Sequence, residues 1–313
     1  MKLSVIIPCK NEEGNVKNIF EKLNKVLSNI KHELIFIDDG SNDKTLVRLR
    51  EIHQQNPNEV KVLSFSRNFM KEAAMYAGLL HSNGEYTCII DGDMQQNPLY
   101  LIKMLEFLDN NNEFDQVAMI QEKRKDSFLS RFLKKCFYKF ITKLSDVEFV
   151  NAASDFRMFR KNVKNAVLSV GEQNRFSKGI FAWIGFNTKY MPYNVEKRAS
   201  GTTKFNLKFS FKYAFDGIIS FSTKPLRFAT YFGLLSSVCS FVYTIIIIVQ
   251  KLVFGIDVAG YASTMCIILL IGGIQLITIG ILGEYLAKTY METKKRPIFI
   301  IKEKIGFDED SIL

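Results

Sequence analysis

The sequence contains few histidines and no regular spacing of cysteines. Its 313 residues include only three histidines and five cysteines, and the cysteines are odd in number and lie far apart. Zinc sites need closely spaced Cys and His residues, and disulfide-rich domains need paired cysteines. The sequence therefore indicates neither kind of site, and it predicts a reducing compartment for the soluble part. We expect the histidines, His32, His53 and His81, to be surface or helix residues.

An export signal and a nucleic-acid-binding motif are also lacking. An apolar strand pattern begins directly at the N-terminus, over residues 2–8, so the sequence predicts no signal peptide. The net charge is nevertheless +10, which nucleic acid, an anionic membrane surface or phosphorylated substrates could each explain. Because long apolar runs lie in the same chain, we favour the membrane as a partner and expect no nucleic acid.

Two long uncharged runs lie near the C-terminus, over residues 228–249 and 258–282. A membrane-spanning helix needs about 20 apolar residues, so both runs qualify. Basic residues precede the first run and follow the second, which places both ends in the cytoplasm by the positive-inside rule. The sequence therefore predicts a two-helix transmembrane hairpin over residues 228–287. The alternative is a pair of buried helices in a soluble core.

The first 120 residues alternate strand and helix patterns. The predicted elements are, in order, 3–7, 15–27, 33–37, 44–54, 60–65, 69–81, 86–90, 98–108 and 116–120. Continuous apolar strands that alternate with helices indicate an α/β fold with a mainly parallel sheet, covered on both faces. Ligands of such sheets bind at the carboxyl ends of the strands. The residues predicted at those ends are Pro8, Asp38, Asp39, Ser66 and Asp91.

The stretch Asp91-Gly92-Asp93-Met94-Gln95 follows one of the apolar strands. Two carboxylates one residue apart can bind a hard divalent cation, and Mg²⁺ is usually held by one or two carboxylates together with substrate phosphates. Such a site suits an enzyme whose leaving group is a nucleoside diphosphate. Taken alone, the motif is also a common polar turn after a strand.

A second acidic motif, Asp38-Asp39-Gly40-Ser41, ends another strand. A carboxylate there can accept a hydrogen bond from a base or a ribose hydroxyl, although the same motif also makes a turn and a helix cap. The stretch 8–12 could contact the same nucleoside. Together with residues 91–95, these stretches predict three polar loops along one sheet edge.

Residues 127–144 have an aromatic apolar face and a basic polar face, and residues 204–222 are similar. Such helices suit a membrane surface, although a helix packed on a core has the same pattern. We predict a cytoplasmic catalytic domain over 1–205, a juxtamembrane amphipathic segment over 206–227, the hairpin over 228–287 and a cytoplasmic tail over 288–313.

The combination of motifs resembles a known family. The stretches are VIIPCKNE (5–12), FIDDGS (36–41), SRNFMKEAA (66–74), DGDMQ (91–95), SDFRM (154–158), RASGTTKF (198–205), GEY (283–285) and KRP (295–297). They resemble inverting nucleotide-sugar glycosyltransferases of the GT-A fold. More closely, they resemble bacterial polyisoprenyl-phosphate glycosyltransferases of the bactoprenol glucosyltransferase type, which are related to dolichol-phosphate mannose synthase. The resemblance covers almost the whole chain and implies a GT-A, Rossmann-like domain followed by the hairpin.

The resemblance implies roles for individual residues. At the nucleoside it places Pro8, Lys10, Glu12, Asp38, Asp39 and Asp91. At the metal, Mg²⁺ or Mn²⁺, and the diphosphate it places Asp91, Asp93 and Gln95. The candidate catalytic residues are Asp155, in the position of the usual base, and Asp93. Phosphate of the donor or of the lipid is expected to contact Lys71, Arg124, Arg198 and Lys204. For Lys71 the alternative is a charge pair with Glu72 at the start of a helix.

The implied reaction is metal-dependent, inverting transfer of one sugar from a nucleotide sugar, UDP-glucose or a related UDP-sugar, to polyprenyl (undecaprenyl) phosphate. It takes place at the cytoplasmic face of a bacterial inner membrane, for modification of cell-envelope glycans, and related enzymes suggest a homo-oligomer such as a tetramer. A lipid monophosphate has a second pKa near 6 and is already anionic at neutral pH. We therefore expect Asp155 to orient the acceptor or manage a residual proton.

Several alternatives stay open. The donor could be GDP-mannose, UDP-N-acetylglucosamine or a UDP-aminopentose, and the acceptor could be a polysaccharide. Processive polysaccharide synthases, however, have more spans and a Gln-x-x-Arg-Trp motif, whereas Trp183 is the only tryptophan here. A membrane scaffold without activity is a third hypothesis. Two positions differ from the family pattern. Met70 replaces a common glycine in the loop that faces the sugar, so donor identity is not carried over. Gln121 replaces a common arginine, for which the nearby Lys123, Arg124 and Lys125 could substitute.

Overall fold

The computed structural model describes residues 1–121, 153–196, 219, 222–253 and 260–307. The chain divides into two compact units. The first contains the described residues up to 196 together with residues 296–307, and the second contains those between 219 and 295. The described residues that follow the second unit, 296–307, therefore return to the first unit.

The first unit is built on one eight-stranded sheet. Its strands are β1 (Leu3–Cys9), β2 (His32–Asp38), β3 (Val60–Phe65), β4 (Tyr86–Ile89), β5 (Gln116–Gln121), β6 (Ala153–Arg160), β7 (Thr188–Tyr193) and β8 (Ile301–Ile305). Their order is β7-β5-β6-β4-β1-β2-β3-β8. The four central strands run parallel, which confirms the predicted α/β fold with a mainly parallel sheet.

Six helices accompany these strands in the described part of the first unit. They are α1 (Val16–Leu27), α2 (Thr45–Gln55), α3 (Met70–His81), α4 (Leu99–Asn110), α5 (Lys161–Ser169) and α6 (Ser177–Trp183). In α1 the apolar residues recur at helical spacing, and Val16, Ile19, Leu23 and Leu27 are fully buried. Strands β1 and β2 are buried along nearly their whole length, because helices cover both faces of the sheet.

Three strands lie outside the predicted set, β6 within the sheet and β7 and β8 at its two edges. Strand β6 runs antiparallel between β4 and β5, so the fifth predicted strand is not a neighbour of the fourth. Strand β8 comes from the segment predicted as a cytoplasmic tail, and it pairs antiparallel with β3. Its alternate residues are partly buried, as one face of an edge strand requires. The C-terminal residues therefore complete the catalytic sheet.

The histidine prediction was wrong at one position. His32 is a residue of β2 and only 6% exposed, with Nδ1 2.8 Å from the carbonyl oxygen of Ile30. The other two lie on helices, as expected: His53 on α2 and His81 at the end of α3. The polar ring of His32 is tolerated in the sheet because a local carbonyl group satisfies one of its nitrogens.

The described part of the second unit contains two long helices, α7 (Lys224–Leu252) and α8 (Tyr261–Thr293). Both are long and apolar enough to cross a membrane, over Lys224–Gln250 and Thr264–Thr293, and none of either window is buried. Buried helices of a soluble core would be covered, so the exposure favours the predicted hairpin. The helices differ from the predicted runs, since α8 begins at Tyr261 rather than at residue 258 and continues about three turns beyond residue 282. The Tyr285 hydroxyl donates to the Ser222 carbonyl oxygen at 2.6 Å.

Candidate active site

Four loops follow the central strands β4, β1, β2 and β3, which are neighbours in the sheet. These strands are parallel, so their carboxyl ends meet at one edge. The loops contain the predicted nucleoside stretches, the Asp91 motif and the start of α3. The predicted juxtaposition of polar loops at one sheet edge is therefore present.

The Asp91 loop lies directly against the end of β1. A Cβ atom on Gly92 would lie 3.1 Å from the Cys9 sulfur and 3.2 Å from the Pro8 carbonyl oxygen, so the close approach favours glycine. Gln96 holds Asp91 from both sides: its Oε1 accepts from the Asp91 amide at 2.9 Å and its Nε2 donates to Asp91 Oδ2 at 2.8 Å. The carboxylate of Asp91 is thus fixed before any ligand arrives.

The remaining residues of the motif form a tight turn. Oδ1 of Asp93 accepts from the backbone amide of Gln95 at 3.1 Å, and the Gln95 carbonyl oxygen accepts from the amide of Glu196 at 3.0 Å. This is the polar-turn geometry considered above. This turn is compatible with metal binding by Asp93, because a carboxylate has several lone pairs and one amide occupies only one of them.

Lys71 connects the Asp91 loop to Asp155. Its ammonium nitrogen lies 2.5 Å from Asp91 Oδ1 and 2.9 Å from Asp155 Oδ2. The antiparallel register of β4 and β6, with Ile89 opposite Arg157, brings Asp155 to the same sheet edge as Asp91. The alternative pair between Lys71 and Glu72 is wrong, since Glu72 instead accepts from the backbone amide of Ser177 at 3.0 Å and from its hydroxyl.

The charges around Asp155 hold it ionised. Burial opposes ionisation, but the positive charges of Lys71, Lys178 and Arg157, together with the hydrogen bond from Lys71, lower the pKa of Asp155 well below its ordinary range. Burial likewise opposes the charge of Lys71, and the two carboxylates raise its pKa above the ordinary value. The buried Oδ1 atom of Asp155 has no hydrogen-bond partner among the described residues, so it is available to a ligand.

Two residues near Asp155, Arg157 and Glu72, were given no role in the site by the sequence analysis. Arg157 lies two residues further along β6, on the same face, and its guanidinium is 4.0 Å from the Phe181 ring centroid on α6. Burial raises the pKa of Glu72, which makes its carboxyl group easier to protonate, and the negative charge of Asp155 adds to this effect. The sequence signal for Arg157 was its place in the SDFRM stretch, two residues after Asp155.

The nucleoside candidates Asp38 and Asp39 occupy the end of β2 and are both buried. Oδ1 of Asp38 accepts from the amide of Ser41 at 3.1 Å and Oδ2 from the hydroxyl of Ser64 at 2.9 Å, which are the contacts of a structural turn. Asp39 accepts from the amide of Phe69 at 2.6 Å. Burial raises the pKa of Asp39, despite that hydrogen bond. Their nucleoside roles stay predictions.

Lys10, a nucleoside candidate on the loop after β1, stabilises the turn that contains Asp39 and Gly40. The Lys10 ammonium donates to the carbonyl oxygens of Asp39 and Gly40, at 2.9 and 2.8 Å. Oε2 of Glu12 accepts from the Asn15 amide group at 2.5 Å. Pro8 is half-buried on β1, beneath the Asp91 loop. Lys10 therefore has a structural contact that the sequence did not predict.

Strained backbone is concentrated at this sheet edge. Three of the four described residues other than glycine with a positive φ are Asn11 (55°), Met70 (76°) and Met94 (65°). Asn11 and Met94 lie in the loops after β1 and β4, and Met70 is the first residue of α3, after β3. Left-handed conformations cost free energy for such residues and cluster at functional sites. The strain supports this edge as the functional one.

We expect Met70→Gly to stabilise the protein. The side chain of Met70 is 58% exposed, so little packing is lost. Relief of the left-handed strain outweighs the backbone entropy of glycine and should raise the free energy of unfolding by about 0.5–1 kcal/mol. Thermal unfolding of the detergent-solubilised chain measures the change. Met70→Ala is the matched control, because it removes the side chain and keeps the strain; equal stability of the two variants would contradict the prediction.

The carboxylates fit a divalent cation that also binds a substrate phosphate. Among the described residues no three His, Cys, Asp or Glu side chains converge as a closed metal site. Mg²⁺, however, commonly uses one or two protein carboxylates and takes its other ligands from phosphate and water. The Asp91 and Asp93 carboxylates on the partly buried loop after β4, together with Oδ1 of the nearby Asp155, which has no hydrogen-bond partner among the described residues, meet that requirement.

Three of the predicted phosphate contacts, Arg124, Arg198 and Lys204, lie outside the described residues. The same holds for the amphipathic stretch 127–144 and for nearly all of residues 204–222. Lys71 is the one predicted phosphate contact whose position is described, and it lies between two carboxylates.

Comparison with known proteins agrees with this architecture. Residues 4–168 match the family described as Glycosyl transferase family 2, and residues 224–289 match the GtrB C-terminal hairpin. The bactoprenol glucosyl transferase of Shigella phage SfX is 37% identical, with 97% of this chain and 100% of the relative covered. The prophage bactoprenol glucosyl transferase homolog of Escherichia coli (strain K12) is 38% identical, with 96% and 99% covered.

A solved structure, glucosyl-3-phosphoglycerate synthase from Mycobacterium tuberculosis in complex with Mn²⁺, UDP-glucose and phosphoglyceric acid, is 16% identical, with a TM-score of 0.47 and 70% of this chain and 77% of that chain covered. The family match and the near full-length relatives decide the identity. The chain belongs to glycosyl transferase family 2, is a glycosyltransferase, and contains a hairpin of the GtrB type.

Proposed function

We propose that this glycosyltransferase moves a single sugar from a nucleotide sugar to polyprenyl phosphate at the membrane surface. The observation that carries the proposal is the cluster of Asp91, Lys71 and Asp155 at the carboxyl edge of the sheet, in a chain with two exposed apolar helices. Two near full-length relatives are named bactoprenol glucosyl transferases. Bactoprenol is a polyprenyl lipid, so its phosphate is the favoured acceptor.

The reaction is a displacement at the anomeric carbon. An anionic oxygen of the acceptor phosphate attacks that carbon, the bond to the nucleoside diphosphate breaks, and the configuration inverts. The acceptor needs no strong base at neutral pH, because a phosphate monoester is already ionised. Asp155 is held ionised by its cationic neighbours, which makes it a weak base. Its role is to orient the acceptor and to accept a residual proton through Oδ1.

Asp91, Asp93 and Gln95 are the residues that would hold Mg²⁺ or Mn²⁺. When bound, the cation would neutralise the negative charge that develops on the departing diphosphate. Asp39 and the braced turn around it would receive the nucleoside. UDP-glucose is the favoured donor, because the relatives are named for glucosyl transfer.

The connectivity supports a cytoplasmic catalytic domain. Residues before the hairpin and residues 296–307 after it belong to the same unit, so both ends of the hairpin lie on one side of the membrane. Lys224 and Arg227 lie at the start of the first span, and Lys294–Arg296 follow the second. By the positive-inside rule, that side is the cytoplasm.

The test is a donor panel with undecaprenyl phosphate in proteoliposomes. UDP-glucose, UDP-galactose, UDP-N-acetylglucosamine and GDP-mannose are supplied one at a time, and the lipid product is identified by mass spectrometry. With UDP-glucose, we expect the mass of the lipid to increase by that of a single hexose. Undecaprenol is the matched control acceptor, since it lacks the phosphate nucleophile. Label in a polymer, or no lipid product with any donor, would refute the proposal.

A further inference from the structure

The C-terminal strand reaches the loop that connects the two halves of the site. This loop, called here the Lys71 loop, comprises residues 66–71, which are the connection after β3 and the first two residues of α3. Strand β8 pairs with β3, with a register shift between Ser64 and Phe65. The pairing extends beyond β3, because the amide of Ser66 donates to the carbonyl oxygen of Ile300 at 3.0 Å. The segment that follows the hairpin therefore holds the first residue of the Lys71 loop.

An aromatic stack joins the same two segments. Phe299 lies parallel to Phe65, with ring centroids 5.1 Å apart and an angle of 14° between the planes. Phe65 in turn contacts Phe69 edge-on at 5.8 Å. Tyr76 on α3 flanks Phe299 at 6.3 Å. Phe65 is only 2% exposed, so the stack lies partly in the core and Phe299 forms its outer layer.

The inner end of the stack meets the site. The amide of Phe69 donates to Asp39 at 2.6 Å, and Lys71, two residues later, binds Asp91 and Asp155. The loop also packs tightly against the Asp39 turn: a Cβ atom on Gly40, whose φ is +60°, would lie 2.5 Å from the Arg67 carbonyl carbon. A displacement of the Lys71 loop would therefore move the amide that orients Asp39.

We propose that Phe299 is a positioning residue, which through Phe65 and Phe69 holds the Lys71 loop in the geometry that orients Asp39 for the donor. Phe299 touches no substrate and acts only through the stack. The identity of the ligand at Asp39, a nucleoside diphosphate, rests on the proposed function. The positioning of the Lys71 loop by Phe299 does not depend on the proposed function. The segment after the membrane hairpin thus contributes to donor binding by Asp39, which lies near the other end of the sequence.

The test compares Phe299→Ala with Glu303→Ala in the full chain. Glu303 lies on β8, four residues after Phe299 in the same C-terminal segment, but its carboxylate pairs with Arg50 on α2, at 3.0 and 2.5 Å, rather than with the stack. We expect Phe299→Ala to raise the KM for the nucleotide sugar about tenfold, the value of a lost aromatic contact. The kcat should change less than about twofold, because the loss affects ground-state binding. Glu303→Ala should leave the KM within about twofold, since exposed ion pairs contribute little.

A second measurement needs no substrate. Hydrogen exchange detected by mass spectrometry reports the amides of residues 66–71, including that of Phe69. Phe299→Ala should accelerate their exchange at least about tenfold, since 1.4 kcal/mol of local stability corresponds to that factor. Glu303→Ala should leave it unchanged. If no nucleotide sugar is turned over, the proposed function fails and this measurement still decides the role of Phe299.

Two conservative variants complete the design. Phe299→Tyr keeps the ring and should restore the wild-type KM and exchange rate. Phe299→Leu keeps apolar volume without a ring and should resemble the alanine variant, and it replaces that variant if alanine prevents folding. Unchanged exchange and KM in both the alanine and leucine variants would overturn the proposal. So would equal effects of the Phe299 and Glu303 substitutions, because they would indicate a general loss of strand attachment.

Discussion

Asp93→Ala is expected to lower kcat at least about 100-fold, the loss typical when a group that stabilises transition-state charge is removed. The fold should survive, because Asp93 lies in the loop after β4 and is not part of the buried core. The affinity for Mn²⁺ should fall in parallel, since the substitution removes one of the two carboxylates at this loop. Turnover in proteoliposomes and the electron paramagnetic resonance signal of free Mn²⁺ measure the two effects.

The matched control is Asp109→Ala. Asp109 accepts from the ammonium of Lys2 and the hydroxyl of Tyr86, each at 2.8 Å, beyond the amino-terminal ends of β1 and β4. Its loss should affect stability and leave the turnover per folded molecule unchanged. If Asp93→Ala retains activity and the wild type works equally well in the presence of a strong chelator, the metal site does not exist.

Asp155→Asn is expected to lower kcat about 100-fold, within the range found for groups that handle protons in the transition state. Asparagine keeps the size and removes the charge. Lys71 then loses one of its two carboxylate partners, and the acceptor loses the oxygen that we expect to orient it. The KM of the donor should change little, because Asp39 and Asp91 remain. Steady-state kinetics with both substrates varied separates these effects.

The pH dependence distinguishes orientation from strong base catalysis. The pKa of Asp155 is lowered in the folded protein, so the carboxylate is ionised throughout the neutral range. Its contribution to stability is present above the unfolded value of about 3.9 and is lost as the pH falls through the lower folded value. Asp155 should therefore produce no limb in the kcat profile between pH 5 and 8. An acid limb in that range that disappears in Asp155→Asn would contradict the assignment.

Much of the catalytic sheet could be predicted from local patterns. The third strand was predicted at the residues where it lies, Val60–Phe65, and α3 begins one residue from its predicted start. An apolar run predicts a buried strand, and the polar residues that follow it indicate the sheet edge where the strand ends. The position of the Asp91 motif at that edge follows from the same reasoning.

The strand pairings could not be predicted in this way. Strand β6 inserts between β4 and β5, and β8 pairs with β3 across more than two hundred intervening residues of sequence. Local composition does not contain this information, because any edge strand offers the same backbone donors and acceptors. The resemblance placed Asp155 in the site, but only the register of β4 and β6 explains its approach to Asp91.

Lys71 illustrates the difference at the level of one side chain. Sequence reasoning left open whether it supports the site or pairs with Glu72. The choice depends on the approach of α6, whose Ser177 occupies the Glu72 carboxylate, and on the register that brings Asp155 within 2.9 Å. Both contacts join segments about a hundred residues apart, so no pattern within α3 could have decided between them.

The amino-acid sequence alone determined the fold class, the two apolar spans, the acidic loops and, through its motifs, the family. These properties depend on the order of apolar and polar residues along the chain, because that order indicates locally which residues become buried. The tertiary structure decided which carboxylates share the Lys71 ammonium and that the C-terminal residues complete the sheet beside the Lys71 loop. Those features depend on contacts between distant segments, which form only when the strands are packed side by side.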